Sequence, residues 1–313
     1  MTLNPSPVVH ALAALPQPYL LFLGDITEAG FAKTAIGLHD WALVIGVANG
    51  GGIVSPQWLP ALVEAMEQGL DLVSGMHQKL GDIPELASSA QRLGRQLINV
   101  RVPPRGIPVG NGRKRSGKRV LTVGTDCALG KKYTALALAR GLRERGVDAD
   151  FRASGQTGIL IAGSGIPMDA VVADFSAGAT ELLSPDAADD HWDVIEGQGS
   201  LFHPAYAGVS LGPLHGSQPD VFVVCRQPGR AHVLGYPEYP LPSIEEVIEL
   251  TVQLGRRTNP AIRCVGVSLN THGMSEQAAL AAYSEVSAHL GLPVADPMRE
   301  NSGFNRLLEA CIA

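Results

Sequence analysis

The residues best suited to bind an anion lie at positions 124–132, where the sequence reads GTDCALGKK. An apolar run at 119–123 precedes this stretch, and a helix-forming segment at 133–145 follows it. A strand, a glycine-rich loop and a helix in this order place backbone N–H groups and a helix N-terminus around a phosphate. Lys131 adds a positive charge. The stretch therefore predicts a phosphate-binding loop.

The loop departs from the usual P-loop pattern G-x-x-x-x-G-K-[ST] in two ways. Its leading Gly124 lies one residue further upstream, and Lys132 stands where a Ser or Thr would hold Mg²⁺. Thr134 cannot supply the missing hydroxyl, because two positions along a helix rotate a side chain by roughly 200°. We therefore expect a phosphate neutralised by lysines, without a bound metal.

Acidic residues are predicted near the ends of two strands. A strand at Ala170–Phe175 ends at Asp174, and a strand at Trp192–Ile195 runs into Glu196. Ligands of open α/β sheets bind at the carboxyl ends of the strands, so both carboxylates are candidate catalytic bases. His203, in a loop flanked by Gly and Pro, titrates near neutral pH and is a third candidate.

The order of apolar segments predicts the domains that position these groups. With 313 residues, the chain is long enough for two domains. Its first hundred residues read as alternating strands and helices, typical of a parallel sheet covered on both faces. The strands are predicted at Tyr19–Leu23, Ala42–Val47, Leu70–Ser74 and Leu97–Val102, and the helices at Ala29–Leu38, Pro56–Gln68 and Ile83–Leu93.

We therefore predict an α/β protein with a Rossmann-like domain at 1–102, a linker at 103–118 and a P-loop-like parallel-sheet domain at 119–313. The linker carries five basic residues and is expected to be solvated. The glycines at 50–52 lack the G-x-G-x-x-G spacing, so a dinucleotide fingerprint is not predicted.

Composition excludes several classes of protein. The chain has 24 Lys and Arg against 30 Asp and Glu, which argues against a nucleic-acid-binding protein with a broad basic surface. No apolar window reaches the length of a membrane span, and the N-terminus lacks a basic, signal-like region. Four scattered cysteines indicate neither disulfides nor a metal site. We expect a cytoplasmic homo-oligomer that acts on a small molecule.

Several motifs resemble known families. GTDCALGKK is similar to the GTDxxxxGK[ST] loop of dethiobiotin synthetases, and EGQG at 196–199 resembles the acidic strand end of those enzymes. Asn270, which follows a predicted strand at Ile262–Leu269, occupies the place of their base-reading Asn. This resemblance covers residues 119 to 275.

Over nearly its full length the chain resembles a bacterial family long described as a domain of unknown function and associated with D-glutamate N-acetyltransferases. The resemblance rests on AKTAIGLHDW (32–41), SGMHQKLGD (74–82), GTDCALGKKYTALAL (124–138), ASGQTGILI (153–161) and EGQGSLFHPAY (196–206). It implies transfer of acetyl from acetyl-coenzyme A to the amino group of D-glutamate, or of other D-amino acids. This reaction needs no γ-phosphate cleavage, which agrees with a loop that lacks the Mg²⁺-binding hydroxyl.

The resemblance also implies roles for individual residues. The loop would hold the anionic part of acetyl-coenzyme A and Asn270 would face its adenine, with the loop contacts expected from Gly124, Thr125, Asp126, Gly130, Lys131, Lys132 and Tyr133. A dicarboxylate acceptor calls for guanidinium groups. Arg152 precedes the loop Ala-Ser-Gly-Gln-Thr-Gly and Arg226 follows a predicted strand at Val221–Cys225, so both are expected at the same sheet edge. Short polar groups there are Ser154, Gln156 and Thr157, which ordinary loop capping explains equally well.

Two alternatives remain at the level of sequence. One is an ATP- and Mg²⁺-dependent ligase or kinase acting on a small carboxylate or amine, with Asp174 and Glu196 binding the metal. Lys132 counts against it. The other is a nucleotide sensor or scaffold that binds without chemistry, and turnover distinguishes it from both enzymes.

Overall fold

The structure is a computed structural model that describes residues 20–22, 42–46, 51–299 and 302–313, with residues 20–22 described by their backbone alone. The chain divides into two compact units. Unit 1 comprises residues 1–106 and 155–170, and unit 2 comprises residues 107–154 and 171–313. None of the helices in the described ranges is long and apolar enough to cross a membrane.

Unit 1 is built on a parallel sheet whose described strands follow the order β1-β2-β3-β4. The strands are β1 (Leu20–Phe22), β2 (Ala42–Ile45), β3 (Asp71–Ser74) and β4 (Leu97–Asn99), and the helices are α1 (Leu59–Glu67), α2 (Pro84–Leu93) and α4 (Gln156–Ala162). Short 3₁₀ turns lie at Pro56–Trp58 and Leu80–Asp82. The predicted Rossmann-like alternation is confirmed for these elements. The predicted helix at 29–38 lies outside the described residues.

Unit 2 contains a parallel sheet with the order β12-β11-β8-β5-β7-β6. Its strands are β5 (Lys118–Gly124), β6 (Ala149–Arg152), β7 (Trp192–Ile195), β8 (Val221–Arg226), β11 (Arg263–Leu269) and β12 (Val294–Ala295), and a separate antiparallel pair is β9 (His232–Val233) with β10 (Tyr236–Pro240). Its helices are α3 (Lys131–Glu144), α5 (Ser176–Leu183), α6 (Ala207–Ser217), α7 (Ile244–Gly255), α8 (Glu276–Leu290) and α9 (Ser302–Ile312).

Apolar strands explain why helices cover both faces of this sheet. Successive residues of a strand point to opposite faces. On β5, Val120 packs in a cluster with Leu138 of α3 and Leu307 of α9, while Leu121 packs in a second cluster with Val247 of α7. Both residues are buried, so the strand reads as a continuous apolar run. The fold class predicted from this pattern is confirmed.

The strand predicted at Ala170–Phe175 is wrong. This stretch forms 3₁₀ turns at Met168–Ala170 and Ala173–Phe175, and α5 begins directly afterwards. Its valines favour a strand by propensity. However, Val172 is 65% exposed, so no sheet buries this apolar side chain.

A solvated linker is predicted at 103–118, but residues 107–118 of this segment belong to unit 2 and pack within it. Arg115 is buried and donates to the carbonyl oxygens of Ser184 (2.7 Å) and Gly216 (2.6 Å). The backbone N–H groups of Asn111 and Gly112 donate to the carboxylate of Glu181. Arg115 therefore acts as an internal hydrogen-bond donor within the fold.

Gly178 of α5 lets this segment approach closely, because a Cβ atom at this position would overlap the carbonyl of Pro108. We expect Gly178→Ala to lower the free energy of unfolding by about 1–3 kcal/mol, the cost typical of overpacking. Gly208→Ala is the matched control, because Gly208 also lies in a helix but a methyl group added there would meet nothing within 4 Å. Gly208→Ala should raise the free energy of unfolding by up to about 1 kcal/mol. Urea unfolding measures the free energy of both variants, and equal changes would contradict the close approach at Gly178.

Candidate functional site

The loop between β5 and α3 lies at the carboxyl edge of the unit 2 sheet. Strand β5 pairs with β7 on one side and with β8 on the other. The strands that follow β5 in the sequence, β6 and β7, lie on one side of it, and β8, β11 and β12 lie on the other side. Such a switch in strand order is where open α/β sheets bind ligands. Gly130, with φ +106°, immediately precedes α3. The predicted strand, glycine loop and helix are therefore all present.

Lys131 is buried between this loop and the end of β7. Its Nζ donates to the backbone carbonyl of Asp126 at 2.7 Å. Its side chain crosses Gly197, where a Cβ atom would lie 3.4 Å from Lys131 Cδ and would overlap the carbonyl of Thr122. Position 197 must therefore be glycine for the end of β7 to pass the Thr122 carbonyl, and the lysine side chain lies in contact distance of the same position.

The next residues show how the loop differs from one that binds Mg²⁺. Lys132 Nζ lies 4.4 Å from the ring centroid of the exposed Tyr133. Thr134 Oγ1 lies 2.8 Å from Ser268 Oγ and is also contacted by the thiol of Cys225. Thr134 therefore faces the sheet, as helical rotation predicts, and offers no hydroxyl to a metal at the loop.

Asp126 organises the loop from inside. Its side chain is fully buried and accepts hydrogen bonds from the N–H groups of Cys127 (2.6 Å) and Leu234 (2.9 Å) and from Arg230 Nη1 (3.0 Å). These contacts tie the loop to the segment that follows β8. The predicted phosphate contact of Asp126 can therefore involve only its backbone. Sequence reasoning missed Arg230, whose signal is a Gln-Pro-Gly-Arg turn directly after a buried strand.

His203 is fully buried beside Asp126. Its Nδ1 accepts hydrogen bonds from the backbone N–H groups of Ala205 (3.1 Å) and Tyr206 (3.2 Å). A nitrogen that accepts hydrogen bonds carries no proton, so the proton of the neutral ring resides on Nε2. Burial lowers the pKa of His203 below its ordinary value, and Lys131 lowers it further against the opposing effect of Asp126.

The tautomer of His203 changes its predicted role. Nε2 lies 3.9 Å from Asp126 Oδ1 and has no hydrogen-bond partner among the described residues. Because its proton is on Nε2, the ring is a hydrogen-bond donor here, and the predicted role as catalytic base does not fit this geometry.

Asp126, Cys127 and His203 place potential metal-ligand atoms within 4.8 Å of one another. A metal on His203 Nε2 would require the proton to move to Nδ1, which faces two N–H donors. The donor set therefore fits a cation poorly.

Glu196 lies at the carboxyl end of β7, as predicted. It is buried, and its Oε2 accepts a hydrogen bond from the N–H of Ser154 at 3.0 Å. Ser154 Oγ donates to the Glu196 carbonyl at 2.5 Å and accepts from Gln198 Nε2 at 2.9 Å. These contacts hold the carboxylate next to Gly197, which Lys131 crosses. Glu196 therefore keeps its place as a candidate base.

Asp174 does not share this position. It lies in the exposed 3₁₀ turn at Ala173–Phe175. Since no strand forms there, the prediction that Asp174 ends a strand beside the loop is wrong.

Arg152 is also misplaced by the sequence prediction. Its Nε donates to Asp193 Oδ1 at 2.5 Å, and its Nη2 lies 3.4 Å from Asp150 Oδ2. In the β6–β7 register Arg152 pairs with Ile195, and Asp193 lies two residues earlier. The guanidinium therefore turns back along the strands, and its predicted position at the carboxyl edge is wrong.

The remaining predicted residues are distributed over the two units. Arg226 ends β8, is half-buried and donates to the carbonyl of Pro242. Asn270 donates its N–H to the Arg226 carbonyl, so the two residues are neighbours at the same edge. Gln156 and Thr157 begin α4 of unit 1, whereas Ser154 belongs to unit 2. Contacts of these residues with a ligand stay predictions.

The fold and the loop together define a protein with a Rossmann-like domain followed by a P-loop domain. The family described as "Domain of unknown function (DUF1611_C) P-loop domain" matches residues 108–308, and "Domain of unknown function (DUF1611_N) Rossmann-like domain" matches residues 24–103. The crystal structure of a DUF1611 family protein from Anabaena variabilis is similar, with a TM-score of 0.79 and 38% identity, covering 87% of this chain and 79% of that one.

Two curated relatives are similar over nearly their full length. The D-glutamate N-acetyltransferase of Tritonibacter scottomollicae is 46% identical and covers 96% of this chain and 99% of the relative. The D-glutamate N-acetyltransferase of Pseudoalteromonas sp. is 44% identical, with 91% and 96% covered. The chain therefore belongs to the DUF1611 family, together with these D-glutamate N-acetyltransferases.

Two histidines of unit 2 should titrate in opposite directions. Burial lowers the pKa of His191, but hydrogen bonds to Asp148 and Asp193 outweigh it, so the pKa is raised above the ordinary value. His203 has a lowered pKa. NMR of ¹⁵N-labelled rings should show His191 protonated above pH 6.5 and His203 still neutral, with its proton on Nε2, below pH 6.5.

The same shifts predict opposite effects on stability. The stabilisation from His191 is fully present below its unfolded-state pKa of about 6.5 and is lost as pH rises through the higher folded pKa. For His203, folding is favoured above about pH 6.5 and disfavoured as pH falls toward the lower folded pKa. Comparing His191→Gln and His203→Gln by urea unfolding between about pH 5 and about pH 8 checks the signs. Parallel pH slopes would contradict the assignment.

Proposed function

We propose that this chain transfers the acetyl group of acetyl-coenzyme A to the amino group of D-glutamate. The observation that carries the proposal is the 46% identity, over nearly the whole of both chains, with a relative named D-glutamate N-acetyltransferase. The loop between β5 and α3 supports the choice of acetyl donor, and the end of β7 supports the chemistry.

The donor proposal rests on the charge of the loop. Lys131 and Lys132 lie at the N-terminus of α3, where the helix dipole also favours an anion. Thr134 is turned toward Ser268, so the loop lacks the hydroxyl that would hold Mg²⁺. Coenzyme A carries phosphates but undergoes no phosphoryl transfer, and these features suit it. We propose that Gly124, Thr125, Gly130 and Tyr133 complete the loop contacts and that Asn270 faces the adenine.

The reaction requires an unprotonated amine. The amine nitrogen forms a bond to the thioester carbon, the C–S bond breaks, and the departing thiolate takes up a proton. A base must first remove a proton from the ammonium group of the amino acid. We propose Glu196 for this step, because its carboxylate is held by Ser154 beside the loop.

His203 has a different proposed role. Because the ring is fully buried and its Nε2 lies 3.9 Å from Asp126 Oδ1, we propose that its N–H supports the Asp126 carboxylate beneath the loop and does not touch a substrate. Lys131 adds positive charge near this ring, as its effect on the pKa of His203 indicates.

No observation favours an ATP- and Mg²⁺-dependent ligase or kinase over this proposal, because Lys132 occupies the position of the metal-binding hydroxyl. Cytoplasmic location and homo-oligomeric assembly remain part of the proposal.

Turnover tests the proposed reaction directly. The protein is incubated with acetyl-coenzyme A and either D- or L-glutamate, with and without EDTA, and release of free thiol is followed. D-selective release that resists EDTA supports the proposal. Consumption of ATP without thiol release would favour a ligase or kinase, and no turnover of either cosubstrate would favour a binding protein.

Lys131→Ala should raise the KM for acetyl-coenzyme A by about tenfold or more, because a charged hydrogen bond to phosphate is lost. The KM for D-glutamate should change little. Lys118→Ala is the control, since Lys118 begins the same strand at the opposite edge of the sheet. Steady-state kinetics with each substrate varied separates the constants. A change confined to the KM for D-glutamate would contradict the assignment.

Glu196→Gln should lower kcat by about 10²-fold or more while donor binding is largely kept, because the amide preserves the shape but accepts a proton poorly. Asp174→Asn is the matched control, since Asp174 lies in an exposed turn. Its kcat should equal that of the wild type. If Glu196→Gln retains full activity, water or another group must be the base.

A further inference from the structure

A second group of polar side chains lies at the carboxyl edge of the unit 1 sheet. His77 follows β3 by three residues and Arg101 follows β4 by two. The segment 155–170, which belongs to the same unit, contributes Gln156 and Asp169. Ligands of open α/β sheets bind at this edge. None of the functions assigned above uses His77, Arg101 or Asp169.

Gln156 has a polar atom that lacks a partner. The residue is 8% exposed, and its Oε1 accepts no hydrogen bond from any described group. The carboxamide lies against Gly75, directly after β3, because a Cβ atom there would overlap Oε1. Buried carbonyl oxygens are almost always hydrogen-bonded, so this atom indicates a missing donor. An ammonium group supplies such donors.

Arg101 provides the complementary charge. Its Nη2 lies 3.1 Å from Asp169 Oδ2, and its side chain is 14% exposed. Guanidinium has five N–H donors in a planar fork that matches carboxylate oxygens. Asp169 therefore orients a planar group of donors at this edge of the sheet.

His77 borders the same place. Its ring is exposed and packs on Gly52, where a Cβ atom would lie 2.8 Å from His77 Cδ2. Partial burial and then Arg101 lower the pKa of His77, while Asp169 opposes them. Arg101 and Asp169 therefore lie within electrostatic range of this imidazole.

We propose that the carboxyl edge of β3 and β4 in unit 1 binds the amino-acid substrate, with Arg101 contacting a carboxylate and Gln156 Oε1 accepting a hydrogen bond from the α-ammonium group. The identity of that amino acid as D-glutamate rests on the proposed function. The site replaces Arg152 as the source of the guanidinium, because Arg152 is paired with Asp193 in unit 2. His77 forms a polar border of the site.

Calorimetric titration of the full chain with D-glutamate and with glutarate tests this site. Glutarate has both carboxylates but no amine. Arg101→Met should weaken binding of both ligands by about tenfold or more, since a charged hydrogen bond is lost. Gln156→Met should weaken D-glutamate by about tenfold and leave glutarate unchanged. Each titration is run with and without saturating coenzyme A.

A second substitution at Gln156 should have the opposite effect on the preference between D-glutamate and glutarate. Gln156→Glu keeps an acceptor oxygen and adds a negative charge, so binding of D-glutamate should be retained while glutarate is weakened by repulsion. Circular dichroism and thermal unfolding show whether Gln156→Met is folded. If it is not, Gln156→Glu still tests the role of Gln156.

Two variants separate binding from structure. Arg92→Met removes an exposed ion pair with Glu67 elsewhere in unit 1, and binding should be unchanged. Asp169→Asn removes the charged partner of Arg101 but keeps the guanidinium, and should alter affinity less than about threefold. If Arg101→Met weakens binding of neither ligand more than Arg92→Met does, Arg101 does not contact a carboxylate and the proposal is overturned.

The outcomes distinguish this inference from the proposed function. Turnover of D-glutamate by the wild type, with wild-type affinity in Arg101→Met and Gln156→Met, overturns the site and leaves the function. Binding of D-glutamate that depends on Arg101 and Gln156, without any acetyl transfer, overturns the function and supports the site. Absence of binding in the wild type under both conditions overturns the site.

Discussion

The buried carboxylate of Asp126 is the interaction on which the arrangement of the loop depends. It receives hydrogen bonds from its own loop through Cys127, and from Arg230 and Leu234 in the segment that follows β8. A buried charge is tolerated only when it is paired and hydrogen-bonded in this way. One side chain thus fixes the loop and also places a negative charge 3.9 Å from His203 Nε2. The position of the loop and the location of Lys131, whose Nζ donates to the backbone carbonyl of Asp126, are linked through this residue.

Close backbone approach is the second constraint. Gly197 lets the end of β7 pass the carbonyl of Thr122, and Lys131 lies across the same position. Gly197 also donates its N–H to Thr122 Oγ1 at 3.0 Å. These contacts fix the backbone at the end of β7, and Glu196, the residue before Gly197, is therefore held close to Lys131. A positive charge and a carboxylate therefore lie side by side at this edge of the sheet.

The structure also separates roles that the sequence places together. The stretch Arg152–Thr157 reads as one polar loop, but Arg152 and Ser154 belong to unit 2 and Gln156 and Thr157 to unit 1. Ser154 holds Glu196, Arg152 is paired with Asp193, and Gln156 faces Gly75. A short sequence segment therefore contributes to the support of a candidate base, to a structural ion pair and to a candidate substrate site.

The sequence alone determined the alternation of strands and helices, the glycine-rich loop between β5 and α3, and the presence of Lys132 where a P-loop has a hydroxyl residue. These features are local, since they depend on apolar periodicity, on glycines at turns and on residue order within one segment. Only the tertiary structure decided which polar groups are available to a ligand. Asp174, Arg152 and His203 all have suitable chemistry. However, Asp174 lies in an exposed turn outside the sheet, and Arg152 is paired with Asp193 of the neighbouring strand. Two backbone N–H groups fix the tautomer of His203. Arg230 and Arg101 were missed for the same physical reason, because their partners, Asp126 and Asp169, are distant in sequence and adjacent only after folding.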